Sequence, residues 1–74
     1  MQLATDPIAQ SVPEYREDGL KFTGAGGTFY VEPTVGGAYY VLREASPEGG
    51  RYVDRLDNRA SARWLARWKA KGLF

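Results

Sequence analysis

The chain contains neither cysteine nor histidine. Without them there is no disulfide and no thiolate, and the commonest general base and the usual transition-metal ligands are missing. No apolar run approaches the roughly 18 residues of a membrane span, and the N-terminus lacks a basic-then-apolar signal pattern, so no membrane partner and cytoplasmic residence are the expectation. At 74 residues the chain makes one domain, near the size at which a single core barely suffices, and a large catalytic cleft does not fit. Two carboxylate pairs remain as acid/base candidates. Glu17-Asp18 falls in a predicted turn, and Asp54 with Asp57 brackets a strand end and the start of a helix, where acidic residues commonly cap. Calcium loops with ligands at alternate positions are absent. The expectation is a protein that is not an enzyme and carries no cofactor and no metal.

Acidic residues also stop at Asp57. Residues 1–57 hold five cations against nine acids, a net of −4, whereas residues 58–74 hold five cations and no acid. The overall charge of +1 therefore hides a dipole. The basic segment is also the one long helix candidate. Asn58 is a good N-cap, no Gly or Pro interrupts the run before Gly72, and Gly72 stands where a left-handed C′ residue is wanted. At about 100° per residue, Trp64, Leu65 and Trp68 fall on one arc with Ala60 and Ser61. That arc is expected to face the core, since Trp and Leu at helical spacing usually mean burial. Arg59, Arg63 and Arg67 follow at i, i+4 on the other side, beside Ala62, Ala66 and Ala70, and should form a basic outer face of low relief. Lys69 and Lys71 suit the negative end of the helix dipole. Arg59 opposes that dipole, so the arginine stripe reads either as a solvated face or as a contact surface for something anionic.

Residues 1–13 read as an N-terminal arm and residues 14–74 as the domain. Asp18-Gly19 carries the strongest short-range hairpin signal, with the positive φ values of a type I′ turn expected there. Gly24-Ala25-Gly26-Gly27 lacks the helix, and the Lys followed by Ser or Thr, that a phosphate cradle needs, and reads as a flexible connection. Strands are expected at 28–32, 38–44 and 51–56, separated by Pro- and Gly-bearing turns. In the second of these, Tyr39 and Val41 point one way and Tyr40 and Leu42 the other. The fold class is α+β, a small antiparallel meander of three to five short strands with one C-terminal helix packed on it. The closing run GGRYVDRL followed by DNRASARWLARW is similar in layout to small three-stranded-sheet-plus-helix modules such as AP2-like integrase arm-binding domains. The likeness covers about half the chain and transfers no functional residue.

Ten Phe, Tyr and Trp residues exceed what one short helix on a small sheet can bury. Exposed aromatics in a two-signed surface suggest recognition. The leading reading is a small accessory protein that occupies a surface on a larger protein or nucleoprotein partner, similar in size to the inhibitors and minor structural components that phages encode. Arg59, Arg63 and Arg67 would meet acidic residues or phosphates, and Tyr30 and Tyr40 would supply apolar anchors. Direct nucleic-acid binding, through the arginine face or a sheet face bearing Tyr30, Tyr40 and Arg43, is the alternative. Homo-oligomer formation through the second sheet face is a third reading.

Overall fold

A computed structural model of the chain describes residues 14–73. The expected arm, residues 1–13, lies outside the described residues. Five strands follow one another and pair in chain order: β1 (Arg16–Asp18), β2 (Lys21–Gly24), β3 (Gly27–Pro33), β4 (Tyr40–Ser46) and β5 (Gly49–Leu56). The sheet is an antiparallel meander, and the helix α1 (Arg59–Ala70) crosses one face, chiefly over β3. This is the α+β architecture expected from the sequence.

Local chemistry sets the turns. Asp18 pairs with Lys21, so Gly19 and Leu20 form the β1–β2 turn, and Gly19 alone has positive φ, at 62°. The type I′ expectation is therefore corrected to the glycine-first arrangement of a type II′ turn. The register moves by one residue, which turns Leu20 onto the core instead of leaving it at a loop exit. Gly24 pairs with Gly27 across Ala25-Gly26. This turn is more than a connection, because Gly26 N donates to the Ala70 carbonyl at 2.9 Å. A Cβ on Gly26 would stand 2.0 Å from the Lys69 carbonyl oxygen, and one on Gly24 would stand 2.4 Å from that of Ala70. Glycine is required here because the strand turn meets the helix end backbone to backbone.

The helix is capped at both ends as its sequence indicates. Asn58 Oδ1 accepts from Ser61 N at 2.8 Å. Gly72 takes φ 79°, and Gly72 N and Leu73 N donate to the carbonyls of Lys69 and Trp68, the pair of bonds that defines a Schellman motif.

The core consists of Phe22, Phe29, Val31 and Leu42 from the sheet and Ala62, Ala66 and Ala70 from the helix. Here the structure overturns the expected orientation of the helix. The alanine stripe faces inward, while Trp64 is 50% and Trp68 is 37% exposed. The tryptophans do share one arc of the helix, but that arc faces outward. The sheet already contributes two phenylalanines and a leucine to the interface, so a smooth helix face is what lets the backbones approach and the bulk interdigitate at interior density. Leu65 lies between the two sides, half-buried against the core.

Candidate functional site

Two surfaces carry the residues singled out by the sequence. The first is the side of α1 that faces away from the sheet. Trp64 and Trp68 lie 5.3 Å apart between ring centroids, tilted by 39°. Beside them Leu56, Ala60, Ser61, Trp64 and Leu65 line an open apolar groove of about 400 Å³.

The arginines stand on the flank of the helix between the alanine stripe and this groove, and two of them turn toward β1. Glu17 faces the helix because it pairs with Phe22, whose side chain is in the core. Its carboxylate accepts from Arg63 Nη2 at 2.9 Å and from Arg67 Nε and Nη2 at 3.0 and 3.1 Å. Tyr15 completes the cluster by donating its hydroxyl to Glu17 Oε1 at 2.7 Å. These donors hold the Glu17 carboxyl down to about pKa 2, with Arg67 the largest influence, then Tyr15 and Arg63. Arg67 is pushed up in turn by the same carboxylate. Tyr15 is also raised, first by burial and then by its bond to Glu17. Lys71 Nζ stands 4.8 Å from the centre of the Tyr15 ring.

The expectation of three outward guanidinium groups is thus corrected. Arg63 and Arg67 serve as an internal clamp on the first strand, and among the described residues only Arg59 of the three forms no ion pair. A carboxylate at position 17 gave no periodic signal in the sequence, since it sits 46 and 50 residues from its partners.

The second surface is the sheet face opposite the helix. Register sets Lys21 opposite Tyr30, Tyr30 opposite Arg43, and Arg43 opposite Tyr52, so four strands build one row that alternates cation and aromatic. Tyr52 is 58% exposed. Arg43 Nε pairs with Glu32 at 3.0 Å, and Lys21 Nζ stands 5.9 Å from the Tyr30 ring centre. Tyr40 is not on this face. It shares the side of Leu42 and packs against the core, which corrects its assignment as an open-face anchor. Tyr52 takes that place; the sequence signal for it was the alternation of RYVDR, obscured by a bulge beside Leu42/Arg43 that shifts the register of β5.

The described residues contain no group of three metal-ligating side chains. A cleft of about 460 Å³ at the helix C-terminus contains Phe29, Glu44, Arg51 and Lys69, and its carboxylate is already paired with Arg51. Among the described residues no helix is long and apolar enough to cross a membrane. Comparison with known proteins gives no match, whether to a family model, a curated sequence or a solved structure.

Proposed function

We propose that this protein is a non-enzymatic binding protein that occupies a surface on a larger protein or nucleoprotein, in the manner of an inhibitor or a minor structural component. The observation that carries the reading is the tryptophan pair held at the surface by an inward alanine stripe. Leaving large indoles in water forfeits the burial energy they could supply, and rigid aromatic anchors are what binding surfaces concentrate. The partner's chemistry follows from the rest of the segment. Residues 58–74 carry five cations and no acid, and Glu17 offsets only one of them. A complementary surface would offer an apolar recess with an acidic rim.

The test compares immobilised wild-type protein with a Trp64→Ser/Trp68→Ser variant in lysate of the source cells. A partner that the wild type retains and the variant releases is the expected result. The chain has two tryptophans, both at this site. Adding the purified partner should therefore move the tryptophan emission to shorter wavelength as the indoles leave water. Equal retention by both proteins, or an unshifted emission in the complex, would show that the helix face is not the anchor.

A further inference from the structure

The geometry points to a second binding surface, on the opposite side of the molecule: the outer sheet face takes an unpaired polynucleotide strand, with Tyr30 and Tyr52 stacking bases and Arg43, Lys21 and Arg55 meeting phosphates. This goes beyond the helix-face reading and does not depend on it.

Charge, shape and ring placement all favour that occupant. By register, the outer face carries Arg16, Lys21, Arg43 and Arg55 against Asp18 and Glu32, a cationic excess of two on a protein whose first 57 residues are net acidic. The aromatic positions fall inside that basic field. Tyr30 and Tyr52 lie two strands apart, about 10 Å at the usual strand spacing, and Arg43 stands between them. Each ring can receive its own base while the guanidinium reaches the backbone linking them.

The floor beside the row carries only small residues. Ala45, Ser46, Gly49 and Gly50 form one wall of an open depression of about 550 Å³ whose other side is Tyr30, Glu32 and Arg43. Glycines inside a strand commonly mark a place where another group comes close to the backbone. Here that group is the stem of Arg43, which lies over Gly50 with its Cδ 3.2 Å from where a Cβ would stand and its Nη1 donating to the Gly50 carbonyl at 3.5 Å, so the guanidinium is held low beside the tyrosines. The Arg43–Glu32 pair does not close the site. Both side chains are well exposed, at 38% and 58%, and an exposed pair of this kind is weak enough for a phosphate to displace the carboxylate.

A duplex fits this surface poorly because its bases are already stacked, and a flat row of tyrosines offers it only charge. No group in the row reads the sugar, so DNA and RNA strands of equal length should bind alike.

Fluorescence anisotropy of labelled oligodeoxythymidine, oligouridine and a duplex, at low salt and with the full chain, tests this. Binding of both single strands in the range of about 1 to 100 µM is expected, with a log K against log salt slope of about −2 for three phosphate contacts. Tyr52→Ala should weaken binding roughly tenfold through loss of one stacked base. Arg43→Gln should weaken it and also flatten the salt slope. Trp64→Ser/Trp68→Ser should leave it unchanged. Circular dichroism of each variant confirms that the sheet is intact, and Tyr52 at an exposed edge-strand position is a safe site to alter.

No binding at about 100 µM overturns the proposal and leaves the helix-face reading standing. Duplex binding as tight as single-strand binding overturns the stacking role. If the tryptophan variant is the one that loses oligonucleotide, the site is on the wrong face. If Tyr52→Ala instead releases a captured protein partner and keeps the oligonucleotide, a protein occupies the sheet.

Discussion

Replacing Glu17 by Gln keeps the side chain's shape and removes the one charge that three donors surround. In the wild type, Arg67 approaches the carboxylate through two nitrogens and Arg63 through one, with Tyr15 below them. The Arg67 interaction is the stronger of the two. Arg63 Nε is buried without a hydrogen-bond partner among the described residues, so that side chain is held less completely. Lowering the carboxyl from 4.5 to about 2 corresponds to roughly 3 kcal/mol if it were fully transmitted to folding. Solvent reaches 27% of the Glu17 side chain and more than a third of each arginine's, and screening brings the expected loss to about 1.5 kcal/mol. For a domain of this size that is a fall in Tm of about 6 to 12 °C. The variant also leaves Arg63 and Arg67 facing each other at i, i+4 with no acid between them.

The assay is thermal unfolding by far-ultraviolet circular dichroism at neutral pH and through an acid series. The folded-state pKa is depressed, so the Glu17 contribution is complete above the unfolded value of 4.5 and disappears as the pH falls toward 2. The wild type should lose its advantage over Glu17→Gln in that window and no other. Other carboxylates titrate there too, which is why the difference between the two proteins is the quantity to read. A gap below about 2 °C at pH 7, or a gap that persists at pH 2, would refute the clamp.

Four further substitutions probe how the helix sits. Gly26→Ala forces a Cβ into the Lys69 carbonyl and should cost at least about 2 kcal/mol in chemical denaturation; a neutral result would mean that the helix end is not seated on the turn. Ala66→Leu overpacks a fully buried position and should cost about 1 to 3 kcal/mol, whereas Trp64→Ser on the outer face should stay within about 1 kcal/mol; the reverse order would mean that the tryptophans form the core after all. Asn58→Ala removes the acceptor for Ser61 N and should lower stability by about 1 kcal/mol, measured by urea unfolding.

Asn58, Gly72 and the alternating runs determined a good deal unaided. The helix limits, the caps, the order of the strands and the meander all follow from local rules, because a side-chain cap, a positive-φ glycine and a two-residue period need no knowledge of what lies across the molecule. The dipole of charge and the separation of a Trp arc from an Arg-Ala arc were equally legible. Tertiary structure decided which arc went inside. Hydrophobicity alone favours burying Trp64 and Trp68, but Phe22, Phe29 and Leu42 had filled the interface from the other side, and only alanines let the helix come close enough. The fate of Arg63 and Arg67 was settled in the same way, by a carboxylate almost fifty residues distant that β1 carries onto the helix flank. The row from Lys21 to Tyr52 likewise exists only in the register of four strands. Volume complementarity and long-range pairing depend on two surfaces at once, and a periodicity read along one segment contains only its own.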